Sequence, residues 1–264
     1  MKKITKILWV TLLFSSLLTI STSATAKFPR FKVLAFYSTK VESDHVKFAF
    51  DAIRFFKDLT SGDGFALDTT SDMDDLNTAR LKDYSVIMML NDFPHSPNQR
   101  EAFQQYMENG GGWFGFHVAA YNDESTQWPW LLKFLGGGIF YRNNWPPMPA
   151  KLVIDDKFHT VTKGLPETFI SPINEWYQWK PSPRENKDIK VLVTLSPDNY
   201  PFGLKDIVPD GDFPVVWTNT KYRMIYMNMG HGSHIFSDAT QNMLIISGLR
   251  WVVATEKKRN VFKN

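Results

Sequence analysis

Short runs of consecutive apolar residues alternate along the chain with segments whose apolar residues recur every three or four positions. The continuous runs predict strands that are buried on both faces of a sheet. The spacing of Val46, Phe50, Ile53 and Phe56 predicts a helix that packs on that sheet. Strands are predicted at residues 31–37, 65–69, 84–90, 113–116, 151–154, 173–179, 190–195, 213–219 and 223–229.

The order of these elements predicts the fold class. Strands alternate with helices through the first half, and Pro97 and Gly110 mark the start and the end of one of those helices. We therefore expect a single α/β domain with a doubly wound, mostly parallel, flavodoxin-like sheet. Residues 220–222 should turn a hairpin, and residues 239–254 should form a final amphipathic helix.

Two parts of the chain depart from this alternation of strands and helices. Residues 121–150 are rich in Trp, Tyr, Gly and Pro, and we expect a long, mostly irregular and functional excursion there. Residues 256–264 form a charged C-terminal tail that we expect to fray.

The N-terminus carries the pattern of a secretory signal peptide. Lys2 and Lys3 precede an apolar run at 7–20, and small residues at the A-x-A spacing end at Ala26. Cleavage after Ala26 would leave a domain at 27–255 that is periplasmic or secreted and has no membrane segment. The chain has no Cys, so neither disulfides nor a lipid on an N-terminal Cys can hold it.

Composition and motifs disfavour several classes of partner. The formal net charge is only +3 and the basic residues form no stripe, which disfavours nucleic-acid binding. No P-loop pattern occurs. The glycines at 110–115 fit the letters of G-x-G-x-x-G, but they lie before and within a predicted strand and not between a strand and a helix, so we expect no nucleotide cofactor. The nine Trp and twenty-one Phe belong mostly to the core, but loop Trp residues also stack on sugar rings. An oligomer is possible.

The candidate chemistry lies where predicted strands end. His117 follows the strand at 113–116, and His231 stands between two glycines after the last strand. Asn91, His159 and Glu175 also lie at the ends of strands or in the adjoining loops. Because such strand ends converge on one rim of a doubly wound sheet, these side chains could meet there. Two or three His with a carboxylate suit a divalent metal site or acid–base chemistry, although scattered structural histidines remain the alternative.

A set of motifs in fixed order identifies the chain as similar to the ThuA-like (trehalose utilisation) family. These are GGGWFGFHVAA, WPWLLKFLGGGIF, DDKFHTVTKGLP, NEWYQW, MNMGHG and SGLRWV, within residues 32–253. The resemblance implies a class I glutamine amidotransferase-like fold, with a sharp nucleophile turn after a central strand. His117 would occupy the nucleophile position and His231 that of the triad histidine. Without Cys, thioester glutaminase chemistry is excluded.

The chain also departs from the family pattern. Relatives usually have a His-Pro where this chain reads Asn143-Asn144-Trp145-Pro146, and Asn174 precedes Glu175 where they usually have Asp. His159 is followed by Thr rather than Pro. The loss of one His weakens a metal site unless an Asn side chain or water fills its place.

The resemblance implies an enzyme of carbohydrate metabolism that acts on disaccharides or 3-keto-glycosides, as an isomerase, lyase or hydrolase. His117 and His231 would serve as base and acid, in either order, and Glu175 as a second base or an orienting group. A divalent metal ion could be held by His117, His159, Glu175 and His231. The expected sugar-binding residues are Trp128, Tyr141, Trp145, Asn91, Asn144 and His45. The alternative is a non-catalytic sugar-binding protein on the same fold.

Overall fold

The computed structural model describes residues 30–199 and 212–261. Its strands are β1 (Lys32–Phe36), β2 (Ala66–Thr70), β3 (Val86–Met89), β4 (Gly112–Phe116), β5 (Ile139–Asn143), β6 (Met148–Ile154), β7 (Thr168–Asn174), β8 (Tyr177–Lys180), β9 (Ile189–Leu195), β10 (Pro214–Asn219) and β11 (Arg223–Met227). Its α-helices are α1 (Ser43–Asp63), α2 (Thr78–Leu81), α3 (Pro97–Glu108), α4 (Pro129–Leu135) and α5 (Ala239–Val261). The predicted signal peptide lies outside the described residues.

Nine of these strands form one sheet in the order β2-β1-β3-β4-β11-β10-β9-β6-β7. The strands from β2 to β11 are parallel, whereas each pair from β11 to β7 is antiparallel. It follows that β7 and β9 run in the direction of β4, while β6 and β10 run in the opposite direction. β5 and β8 form a separate antiparallel ribbon.

Helices cover both faces of the sheet, as the continuous apolar runs require. Val33 and Ala35 of β1 face a core shared with α1 and α5, while Leu34 and Phe36 face a core shared with α3 and α4. Alternate residues of one strand therefore enter different cores, and both must be apolar. The predicted single α/β domain with a doubly wound sheet is confirmed, with an antiparallel half added to the parallel one. Within the described part of the chain, no helix has the length and apolar character to cross a bilayer.

Three predictions about individual segments were wrong. Half of the excursion at 121–150 is regular, because Pro129 and a left-handed Gly136 delimit α4 and the segment then enters β5 and β6. The strand predicted at 173–179 breaks into β7 and β8, with Glu175 at the corner. The last helix continues to Val261, because its charged C-terminal residues are good helix formers and no Gly or Pro interrupts them.

Candidate active site

The rim at the carboxyl ends of β4, β7 and β11 gathers His117, Glu175 and His231. The first turn of α1 lies at the same rim and adds His45. The ring centroid of His45 lies 5.1 Å from that of His117 and 4.9 Å from that of His231, and the His117 and His231 rings are 5.8 Å apart. We call these four side chains, together with Glu42, the rim cluster.

His117 occupies a strained turn immediately after β4. Its φ is 44°, in the left-handed region that non-glycine residues rarely adopt. The hydroxyl of Tyr226 donates a hydrogen bond to the His117 carbonyl at 3.0 Å. Gly230 allows the approach of the second strand end, because a Cβ there would lie 2.4 Å from the Cβ of His117. The turn thus directs a buried imidazole toward the rim.

Both ring nitrogens of His117 have defined neighbours. Nδ1 lies 2.8 Å from the carbonyl oxygen of Asn228, so Nδ1 carries a hydrogen and donates it. Nε2 lies 3.3 Å from Oε2 of Glu175. Nε2 of a neutral His117 ring and Oε2 of an ionised Glu175 are both acceptors and cannot hydrogen-bond to each other. Their contact therefore requires a proton on Nε2 or another positive charge between the two atoms. The ring of Tyr177 packs against the imidazole at 4.1 Å between centroids.

Glu175 is held in place by the ribbon of β5 and β8. Asn143, at the end of β5, donates a hydrogen bond to Oε1 of Glu175 and leaves Oε2 for His117. Burial raises the pKa of the Glu175 carboxyl, but the bond to His117 and the nearby histidines outweigh it and hold that pKa below its usual range. Burial lowers the pKa of His117, and Glu175 opposes this effect. The cluster therefore favours an ionised carboxylate beside a poorly protonated imidazole.

His45 and His231 face each other across the cluster. Burial and the two neighbouring histidines lower the pKa of His45 to about 4. Its Nε2 is buried and has no hydrogen-bond partner. His231 is 4% exposed, and its Nε2 lies 3.7 Å from Oε2 of Glu42. Asn174 fixes the main chain there, since its side-chain oxygen accepts hydrogen bonds from the backbone N–H groups of Gly230 and His231.

Two sets of three side chains in the rim cluster could hold a metal ion, among the residues that the structure describes. The first is His45, His117 and Glu175, and the second is Glu42, His45 and His231; in each, the ligand atoms lie within 4.8 Å of one another. His45 belongs to both sets. Trp145, beside the cluster, is 75% exposed, and its ring lies 6.5 Å from that of His231.

Comparison with known families agrees with this architecture. Residues 32–252 match the family model described as ThuA, trehalose utilisation. The chain belongs to the ThuA family. No curated protein matches the sequence.

Solved structures place the chain in the same family. A ThuA-like protein from Bacteroides uniformis is 57% identical with a TM-score of 0.83, covering 88% of this chain and 95% of that one. A ThuA-like protein from Parabacteroides merdae is 20% identical with a TM-score of 0.63, covering 85% and 90%. A GMP synthase-like protein from Thermoplasma acidophilum shares the fold alone, at 8% identity and a TM-score of 0.54, covering 87% and 98%.

The backbone of this ThuA protein agrees with the nucleophile turn that the resemblance implied. In related α/β folds, a sharp strand-to-helix turn with a residue at positive φ exposes the nucleophile. Here the residue is His117, which begins a short 3₁₀ helix, His117–Ala120.

The structure does not bring His159 into the rim cluster, and the predicted metal-ligand set changes accordingly. β6 runs antiparallel to β4, so its carboxyl end points to the opposite rim. There the ring of His159 packs at 5.2 Å on Trp251, whose neighbour Val252 contacts Gly112 at the start of β4. Among the histidines, His45 takes the place that the sequence had given to His159.

Several predicted sugar-binding residues have other partners. Asn91 is buried, and its amide bonds to the backbone of Ser38 and His45, so it positions α1. Asn144 is buried; its side-chain oxygen accepts a hydrogen bond from the N–H of Trp176 at 2.6 Å, and its amide donates to the Pro146 carbonyl.

Two of the predicted sugar platforms also lie elsewhere in this ThuA protein. Trp128 stacks on Trp130 in the core around α3 and α4. Tyr141 lies beneath the ammonium of Lys180, in a separate cleft. Trp145 and His45, by contrast, lie at the rim cluster.

Sequence reasoning missed three supporting residues of the site: Glu42, Asn143 and Asn228. Glu42 precedes the helix predicted around Val46, in the position of a cap. Its carboxylate accepts hydrogen bonds from the backbone of Asp44 and His45. Asn228 stands two residues before Gly230 at the end of a buried strand, which is the same signal that singled out His231.

Proposed function

We propose that this ThuA-family protein is an exported enzyme of carbohydrate metabolism that acts on disaccharides or glycosides carrying a keto group. The observation that carries the proposal is the buried His117–Glu175 contact, with a second histidine, His231, across the cluster at 5.8 Å. Two groups that can carry a proton within one buried cluster suit proton transfer at carbon. The family's link to trehalose utilisation supports a sugar as the substrate.

The chemistry follows from the acidity of a carbon next to a ketone. In a glycoside oxidised at C3, a base removes the proton on C2, and the C2–H electron pair becomes an enolate. The enolate then expels the oxygen on C1, which takes a proton from the acid and leaves as an alcohol. The His117–Glu175 contact and His231 supply these two roles, and the geometry accepts either order.

Trp145 is the candidate platform for the sugar ring. Its indole is exposed beside His231, and an exposed aromatic face next to polar groups suits stacking on the apolar face of a sugar. A ring held there would lie next to the rim cluster.

Proton NMR in D₂O tests the proposal with a 3-keto-glucoside as substrate. We expect deuterium to enter at C2 or the aglycone to be released. His117→Ala should reduce turnover by at least about 100-fold, while His159→Gln at the opposite rim should leave it unchanged. Saturable sugar binding that survives His117→Ala, with neither exchange nor product, would instead establish a sugar-binding protein.

Export is a separate part of the proposal and rests on the N-terminal sequence pattern. The intact mass of the protein recovered from the cell envelope or the medium should correspond to a chain that begins at Lys27. An intact Met1 in the mature protein would refute it.

A further inference from the structure

We propose that His45, His117 and Glu175 bind a divalent transition-metal ion through two imidazole nitrogens and one carboxylate oxygen. The inference deepens the proposed function, on which it rests for the catalytic role of the ion but not for its binding. Three arguments from the geometry support it.

The first argument is that the atoms that would bind the metal lack suitable hydrogen-bond partners. Nε2 of His45 is fully buried and lacks a hydrogen-bond partner, although a buried polar atom normally has one. On the other side of the cluster, Nε2 of His117 faces Oε2 of Glu175, and both atoms are acceptors unless a proton lies between them. A single cation among these three atoms would satisfy all of them.

The second argument is spacing. Two ligands that are each about 2.1 Å from a tetrahedral ion lie about 3.4 Å apart. Nε2 of His117 and Oε2 of Glu175 lie 3.3 Å apart. Two imidazoles on such an ion have ring centres about 5.2 Å apart, and the rings of His45 and His117 are separated by 5.1 Å. The ligand atoms of all three residues lie within 4.8 Å of one another, so they need only a small inward adjustment.

The third argument is the support around the ligands. Histidines that bind metals usually donate their other ring N–H to a carbonyl or carboxylate. Nδ1 of His117 does so to the main-chain oxygen of Asn228 at 2.8 Å. Asn143 holds the second oxygen of Glu175. Nitrogen ligands with one carboxylate favour Zn²⁺ or a similar first-row ion over Mg²⁺ or Ca²⁺.

Such an ion would act as a Lewis acid that polarises a carbonyl or hydroxyl oxygen of the sugar. With His117 and Glu175 engaged as ligands, the ion would take the place of their contact as the acid that assists departure of the oxygen on C1, and His231 would be the base. The set that contains Glu42 and His231 is less suitable, because Oε2 of Glu42 already accepts two backbone hydrogen bonds at the start of α1.

The test is metal binding by the full-length mature protein after treatment with a chelator and dialysis. Titration with Co²⁺ should produce visible d–d absorption that saturates at one ion per chain, and added Zn²⁺ should abolish it. His45→Gln, His117→Ala and Glu175→Gln should each weaken Co²⁺ binding by at least about 100-fold. His159→Gln is the matched control and should bind as the wild type does. Circular dichroism establishes that each variant is folded, and any one folded ligand variant suffices.

Failure to bind Co²⁺ or Zn²⁺, or unchanged affinity in a folded ligand variant, would overturn the proposal. Loss of binding in Glu42→Gln and His231→Ala, but not in Glu175→Gln, would also overturn it, because the ion would then be bound by Glu42, His45 and His231. Turnover of keto-glycosides by the chelated protein would refute a catalytic ion while leaving the proposed function intact. Metal binding without turnover would support the metal site but refute the proposed function.

Discussion

The Nδ1 atom of His117 lies 2.8 Å from the main-chain oxygen of Asn228, a residue 111 positions further along the chain. This bond selects the ring tautomer, because the carbonyl can only accept. It also turns Nε2 toward Glu175. The ends of two neighbouring strands, β4 and β11, thereby fix which nitrogen is available for chemistry.

Gly230→Ala should disrupt this relationship between the strands. The added Cβ would lie 2.4 Å from the Cβ of His117, and both belong to buried strand ends that cannot easily separate. We expect a loss of about 1–3 kcal/mol in the free energy of unfolding, together with lost activity. Gly62→Ala in α1 is the control, since its Cβ would meet nothing within 4 Å. Equal stability of the two variants in urea unfolding would contradict the argument.

Glu175→Gln preserves the shape of the side chain but removes its charge. The carboxylate raises the pKa of His117, so we expect the pKa of that imidazole to fall further in the variant. Turnover should drop by about 100-fold or more. Glu167→Gln alters an exposed carboxylate that pairs with Lys157, and it should change neither quantity. Steady-state kinetics and histidine NMR measure the two effects, and wild-type turnover in Glu175→Gln would remove this residue from the site.

Trp145→Ala should weaken sugar binding without altering stability. The indole is 75% exposed, so the folded protein loses little packing when it is removed. We expect KM to rise by about tenfold, corresponding to a stacking contribution of roughly 1.4 kcal/mol, with kcat nearly unchanged. Phe158→Ala removes an aromatic ring that is 93% exposed and adjacent to His159 at the opposite rim. The same rise in KM in both variants would mean that Trp145 has no specific role.

His159 should titrate below the ordinary histidine pKa of about 6.5. Burial against Trp251 is the main cause, and the positive charge of Lys190 adds to it. The folded state therefore favours the neutral ring. Its contribution to stability is complete above pH 6.5 and is lost as the pH falls through the folded-state pKa.

Lys190→Gln should raise the pKa of His159, because it removes a positive charge and releases Asp156 from its ion pair at 2.6 Å. The His159 Cε1–H resonance followed from pH 8 to pH 4 reports both midpoints. Lys187→Gln on the exposed loop before β9 serves as the charge-matched control. A midpoint that is the same in Lys190→Gln and in the wild type would contradict the assigned cause.

Most of the fold could be predicted because the central strands are continuous apolar runs. Leu34 and Phe36 face one core while Val33 and Ala35 face the other, a pattern that only a strand covered on both sides produces. In the second half, the hairpin at 220–222 predicted the antiparallel pairing of β10 with β11 correctly, but the direction of the other strands could not be predicted. β6 and β9 are antiparallel neighbours, yet their apolar patterns resemble those of parallel strands. Hydrophobicity reports which faces are buried, not which way the chain runs.

That ambiguity also explains what was predicted correctly and incorrectly about the site. His117 and His231 end strands that are parallel neighbours, so their proximity followed from the predicted fold. His159 ends the antiparallel β6 and was therefore misplaced. The occupied amides of Asn91 and Asn144 could not be foreseen, because hydrogen bonds to distant backbone depend on the tertiary structure.

The pairing of β4 with β11 has consequences for how the chain acquires its site during synthesis. Gly112 pairs with Arg223, so a central strand made early must wait for one made near the end. Until then, the apolar edge of β4 lacks its native neighbour, and exposed strand edges of this kind favour aggregation and chaperone binding. Chains truncated before β11 would lack both His231 and the carbonyl that orients His117. The surroundings of His117 are therefore complete only after β11 and Asn228 have been made.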